Sequence, residues 1–195
     1  MDPINLITAI NLFVSISANW SGAKKGIKTS ITKLVERPKS YLQKLPPNIS
    51  ALILVITILG IFNIGSLPQN LKEEYSYLRI IGLLMFIIFS WLQVLSFKSL
   101  KNYYAQDVVI LKEHKLISNG IYGVIRHPQY ISQFLSDFGA GLALMNFLIL
   151  PLALLVELPL FMMRANLEEK MLANHFGEEF KLYKKKTGFI FPFIG

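Results

Sequence analysis

The chain has 195 residues, 53% of them hydrophobic and only 16% charged, with a mean hydropathy of +0.46, which excludes an ordinary water-soluble domain and indicates a multi-pass membrane protein. Its net charge of +8 comes from 20 Lys and Arg against 12 Asp and Glu. These cations stand in loops beside apolar segments, which suits anionic lipid head groups rather than nucleic acid. Cysteine is absent, excluding disulfides, thiolate metal sites and a cysteine nucleophile.

The opening Met1-Asp2-Pro3-Ile4 lacks the basic start of a secretory leader. A first span runs from about Ile4 to Trp20, diluted by Thr8, Asn11, Ser15, Ser17 and Asn19, which are expected to hydrogen-bond against other helices. A basic loop follows. The second span, about Ile49 to Leu67, and the third, about Leu78 to Phe97 with a helical extension toward Tyr104, are strongly apolar and near the roughly 20 residues that cross a bilayer. Next comes Lys112-Glu113-His114-Lys115-Leu116-Ile117-Ser118-Asn119-Gly120, which reads as a loop or short extended piece entering a glycine turn.

Arg126-His127-Pro128-Gln129-Tyr130 stands at the mouth of the last apolar stretch. Pro128 fits the first turn of a helix. His127 and Tyr130 are then expected at its exposed N-terminal end, where amides and dipole favour an anion. The plainer alternative is an interfacial anchor, with Arg126 snorkelling and Tyr130 in the aromatic belt. The stretch from about Ile131 to Met163 would reach about 50 Å as one helix, at about 1.5 Å per residue. Asn146 and Pro151 are break signals, so the reading is a tight helix-turn-helix with both arms in the membrane. Asp137 and Glu157 lie inside it, either lining a substrate path or packed as protonated acids.

Arg164 and Glu168 are four apart and share a helix face, either as a simple ion pair or as a site in which Arg164 binds a carboxylate. The tail from Arg164 to about Lys186 reads as an amphipathic helix broken at Gly177, with Leu167, Met171, Leu172, His175, Phe176 and Phe180 at helical spacing. His175 is expected at the helix surface or in packing, and three histidines without cysteine give no metal-site spacing. The final apolar patch Phe189 to Ile194 is expected to dip into the interface or close over the core. The expected fold is an all-α membrane bundle of about five segments, with a cytoplasmic C-terminal helix. The alternation of basic and non-basic loops places the N-terminus outside and both polar blocks in the cytoplasm.

Together these blocks resemble the isoprenylcysteine carboxyl methyltransferase family. The resemblance rests on His114-Lys115-Leu116-Ile117, Asn119-Gly120-Ile121-Tyr122, Arg126-His127-Pro128-Gln129-Tyr130, Arg164 with Glu168-Glu169, Phe176-Gly177-Glu178-Glu179-Phe180 and Phe191-Pro192-Phe193-Ile194. It spans about Gln106 to the C-terminus, dividing residues 1–105, with three spans and a basic loop, from a catalytic region 106–195. It implies S-adenosylmethionine as cofactor, in contact with Gln106, His114, Lys115, Leu116, Ile117, Tyr122, His127, Pro128, Gln129, Tyr130 and Glu168. Arg164 is implied at the carboxylate of the acceptor, a prenylated peptide or similar lipid. A carboxylate nucleophile needs no general base, and the chain shows no nucleophile–base pair. The aromatic faces of Tyr122 or Tyr130 would suit a sulfonium cation.

Three rivals stand beside this reading. A sterol-type membrane reductase shares an Arg-His-Pro-x-Tyr-like block, but would need an NADPH site and leaves Arg164 without a role. A methyltransferase acting on phospholipid amines or other small lipids shares the cofactor site. A non-enzymatic adaptor or small transporter draws on Asp137 and Glu157, but leaves both polar blocks unexplained.

Overall fold

The computed structural model describes residues 2–32, 34–100, 107–111, 115–192 and 194. Its helices are α1 (Pro3–Thr32), α2 (Leu45–Ile61), α3 (Gln69–Glu74), α4 (Ser76–Leu100), α5 (Pro128–Leu144), α6 (Ile149–Leu152), α7 (Leu158–Phe176) and α8 (Glu178–Lys186). The expected all-α fold gains one small addition, an antiparallel pair of β1 (Leu34–Glu36) and β2 (Ile110–Leu111). Among the described residues, three stretches are long and apolar enough to cross a bilayer: Tyr41–Ile61, Ser76–Leu100 and Ile149–Phe176. Phe13, Leu84, Ile88 and Leu155 point outward, the pattern of a surface solvated by lipid rather than water. The protein is an integral membrane protein.

The first helix is longer than its sequence suggests. It continues past Trp20 to Thr32: no proline interrupts Ser21 to Thr32, and Ala23 with the lysines, good helix formers, offsets Gly22 and Gly26. Asn11 Nδ2 donates to Ser90 Oγ on α4 (3.0 Å), as expected for its polar positions, whereas Ser15 and Ser17 bond back to their own helix. The second helix begins at Leu45, four residues before the expected start, with prolines in its first turn where their missing N–H costs nothing. It stops at Ile61, and Phe62 to Leu67 form a turn. The extension of the third span toward Tyr104 lies outside the described residues beyond Leu100.

The helix-turn-helix is present. Met145 takes a left-handed conformation (φ 48°) and ends α5. Asn146 Oδ1 then accepts from the amides of Leu148 (3.0 Å) and Ile149 (3.2 Å), which satisfies the first orphan donors of the next helix. That helix runs from Ile149 to Phe176 through one π-helical turn, Ala153–Glu157. Pro159 explains the turn: it lacks an N–H, and its ring clashes with the carbonyl four residues back.

Two glycines let α4 and α5 cross almost backbone to backbone. A Cβ on Gly82 would lie 2.5 Å from Ala143 N, and one on Gly139 would lie 2.6 Å from Phe86 N. The core beside this crossing is built from Ile53, Ile131, Phe134, Ile149, Phe161 and Ile190. Ile190 belongs to the terminal patch, which therefore closes over the core. The amides of Arg126 and His127 donate to Gly188 O (2.8 Å) and Phe189 O (3.2 Å), which ties that patch to the start of α5.

Candidate active site

A cavity open on one side lies where α5 and α7 emerge from the bundle. One wall is Val108 to Ile110, another is Lys115 to Ile117, and a third is Met171 with Leu172 on α7. Of the residues the resemblance assigned, Lys115, Leu116, Ile117, Tyr122, His127, Gln129, Tyr130, Arg164 and Glu168 all line it. Pro128 does not; it is buried in the first turn of α5. Gln106 and His114 lie outside the described residues.

The polar centre is a three-residue chain. Arg164 Nε donates to the Tyr130 hydroxyl (3.1 Å), which donates in turn to Glu168 Oε2 (2.9 Å). Tyr130 thus stands between the two residues that the four-residue spacing put on one helix face. Arg164 is buried, at 4% exposure, and its Nη1 donates to the main-chain carbonyls of Leu42 (2.9 Å) and Gln43 (3.1 Å). Its planar fork is therefore fixed in orientation by groups from two distant parts of the chain. The ring of Tyr130 is stacked on His127 (5.6 Å) and Phe161 (5.3 Å), so the hydroxyl, not a ring face, is what Tyr130 offers the cavity.

Glu168 and Glu169 are neighbours with different work. The Glu168 side chain is 36% exposed at the cavity, whereas that of Glu169 is 7% exposed and held by three cationic or hydrogen-bonding partners. Arg126 Nε (2.5 Å), Lys184 Nζ (2.7 Å) and His127 Nε2 (3.3 Å) converge on its two oxygens. Arg126 also donates to the carbonyls of Lys184 and Thr187. It is a buried tie between α5, α7 and the end of α8, not a snorkelling anchor. The expected exposure of His127 at the start of α5 is likewise corrected: His127 is buried, and the amides of Arg126 and His127 donate to Gly188 O and Phe189 O.

Tyr183 completes the wall. Its hydroxyl donates to Tyr122 O (2.6 Å), and burial pushes its pKa up to about 12, so it stays a neutral donor at physiological pH. Gly177 takes a positive φ of 54°, which turns α8 back so that Phe180 and Tyr183 face the cavity. His175 is exposed and packs edge-on against Phe176, as a surface histidine.

Asp137 and Glu157 are buried away from the cavity. Gln133 Nε2 donates to Asp137 (2.7 Å) within α5, and Ser50 Oγ on α2 donates to Glu157 (2.7 Å) just before α7, two helical turns below Tyr130 and Arg164. Sequence reasoning assigned no role to Leu42, Gln43 or Glu169, nor to the cavity-lining Val108, Ile110, Leu172 and Tyr183. The first two act on Arg164 through carbonyls, which every residue has, so no sequence signal marks them.

Residues 77–179 match the family model for phospholipid methyltransferases. The chain belongs to the phospholipid methyltransferase family. Within it, the chain is similar to the protein-S-isoprenylcysteine O-methyltransferases of Schizosaccharomyces pombe (36% identical over 83 residues, covering 43% of this chain and 35% of that one) and Saccharomyces cerevisiae (32% over 117 residues, 59% and 49%). The first such relatives are matched over only 29% to 49% of their own length. In three dimensions it is similar to the eukaryotic intramembrane Ras methyltransferase ICMT, with a TM-score of 0.67 at 22% identity over 100% of this chain and 69% of that one. The family member's fold is therefore that of the intramembrane methyltransferase.

Proposed function

We propose that this family member transfers a methyl group from S-adenosylmethionine to a carboxylate on a lipid-bearing acceptor of the isoprenylcysteine type, forming a methyl ester at the membrane surface. The observation that carries the reading is the Arg164–Tyr130–Glu168 chain: a fixed cation and a half-exposed carboxylate in one cavity at the end of the membrane helices.

The residues fit the cofactor by chemistry. Val108, Ile110, Leu116, Ile117 and Leu172 make apolar walls suited to a purine. Glu168 offers a carboxylate to an ammonium or to ribose hydroxyls. Gln106, His114, Lys115, Tyr122, His127 and Gln129 are assigned to the same partner by resemblance. When bound, S-adenosylmethionine supplies an electrophilic methyl on a positively charged sulfur.

The work of the chain is positioning. A carboxylate is ionised at neutral pH, so no residue has to remove a proton from it. Arg164 holds the acceptor's carboxylate by its planar donors, with Leu42 and Gln43 preventing it from swinging. Tyr130 ties its orientation to that of Glu168, so donor and acceptor subsites share one frame. Tyr183, Phe180 and the terminal patch exclude water, which would otherwise compete and would screen the charges. Transfer exchanges the acceptor's negative charge for a neutral ester, which strengthens its hold on the membrane. By the positive-inside rule the site faces the cytoplasm, with α1 and α5 counted as spans to give five crossings and an external N-terminus.

The family match supports a second reading, in which the acceptor is a phospholipid amine. An amine must lose a proton before attack, and Arg164 opposes the approach of an ammonium; both favour the carboxylate. The test starts with calorimetric titration of detergent-purified protein with S-adenosylhomocysteine and, separately, NADPH. Saturable binding of the first alone is expected; binding of NADPH alone would replace the reading with a reductase. Methyl transfer is then compared between a farnesylcysteine analogue and phosphatidylethanolamine vesicles. Label released as methanol by alkali marks an ester, and alkali-stable label marks an N-methyl amine and would overturn the carboxylate reading.

A further inference from the structure

The ladder between β1 and β2 pairs Glu36 with Ile110. Two residues further in the same register, Pro38 falls opposite Val108. Proline has no N–H to give, so the ladder cannot continue there. Val108 is nonetheless buried, at 4% exposure, in the cavity wall, where an unpaired N–H or C=O is costly.

The side chain of Gln43 meets that need. Its Nε2 donates to Val108 O (2.8 Å) and, at longer range, to Pro38 O (3.4 Å), while its Oε1 accepts from Val108 N (3.0 Å). A carboxamide carries the same donor and acceptor as a peptide group, so Gln43 replaces the strand residue that Pro38 cannot be. Its own carbonyl meanwhile accepts from Arg164 Nη1 (3.1 Å). Gln43 is itself buried, and the turn Tyr41–Gln43 that carries it is capped by Ser40.

We propose that Gln43 is a positioning residue for methyl transfer, locking the cavity wall at Val108 and the Arg164 guanidinium into one frame. The proposal rests on the functional reading above and adds to it a residue from the N-terminal half of the chain. A slip of Val108 would move the cofactor wall relative to the acceptor's arginine, and misplacement on the order of 1 Å costs roughly 100-fold in rate.

The test uses Gln43→Met, which keeps length and apolar volume but loses both hydrogen bonds, with Gln43→Asn as a shorter polar control if Met prevents folding. Three readouts are compared with wild type: amide hydrogen exchange over residues 107–111, affinity for S-adenosylhomocysteine, and the kcat and KM for each substrate. Faster exchange at 107–111, a roughly tenfold weaker affinity, expected from losing two hydrogen bonds, and a raised donor KM are expected. Unchanged exchange, or faster exchange with affinity, KM and kcat all unchanged, would overturn the proposal. A fall in kcat that only matches a fall in the number of S-adenosylhomocysteine sites per molecule, with affinity and KM unchanged, would mean fewer folded molecules and would also overturn it. Wild-type protein that binds no S-adenosylhomocysteine would overturn the functional reading instead, with the exchange data still reporting on the Gln43 clasp.

Discussion

Tyr130 is where the sequence and the structure differ most at the scale of a residue. Its sequence position suggests an interfacial aromatic or a face for a cation, yet its ring is packed between neighbours and its hydroxyl links Arg164 to Glu168. Tyr130→Phe keeps the stacking and removes the link. It is expected to lower kcat/KM about 10- to 100-fold with little change in melting temperature, because two charged groups each lose a hydrogen bond worth roughly 1.5–3 kcal/mol. Arg164→Lys should damage acceptor use more than donor binding, since one ammonium cannot reproduce the fork that meets Tyr130, Leu42 and Gln43 at once. Glu168→Ala should show the converse, with weakened S-adenosylhomocysteine binding by calorimetry. If Arg164→Lys and Glu168→Ala impaired donor and acceptor alike, the division of the cavity into two subsites would be wrong. Arg164 and Glu168 were legible because helical spacing alone puts them on one face. Glu169 was not, since its partners Arg126 and Lys184 lie 43 and 15 residues away and meet it only after folding.

At the scale of the element, the decisive contact is the α4–α5 crossing. In a membrane the hydrophobic effect does not hold helices together, so close backbone approach at small residues must do so. Gly139→Ala drives a methyl into Phe86 N and Gly82 O. It is expected to cost about 1–3 kcal/mol by overpacking, read as a lower thermal midpoint in detergent. Gly120→Ala, by contrast, would meet no neighbouring atom, though its positive φ of 59° resists the change. The break at Asn146 was legible from residue type, because a side-chain oxygen that caps a helix is a local property. The π-helical turn before Pro159 was not, since a proline inside an apolar run signals a disturbance without saying whether the helix kinks, stops or widens.

For the whole molecule, the absence of cysteine makes topology directly measurable. Single replacements Glu73→Cys, in the exposed α3, and Lys186→Cys, at the exposed end of α8, should label from opposite sides of sealed vesicles with an impermeant maleimide. Labelling of both from one side would overturn the proposed orientation and the odd number of crossings. By itself the sequence determined that this chain lives in a membrane and roughly where its apolar segments lie. These are consequences of composition, helical period and residue type, which act locally or nearly so. The tertiary structure alone decided that the basic stretch before the second span enters the site. Leu42 and Gln43 reach Arg164 through carbonyl groups, and Gln43 clasps Val108 because Pro38 cannot. Backbone acceptors carry no residue signature, so only their arrival in space reveals what they hold.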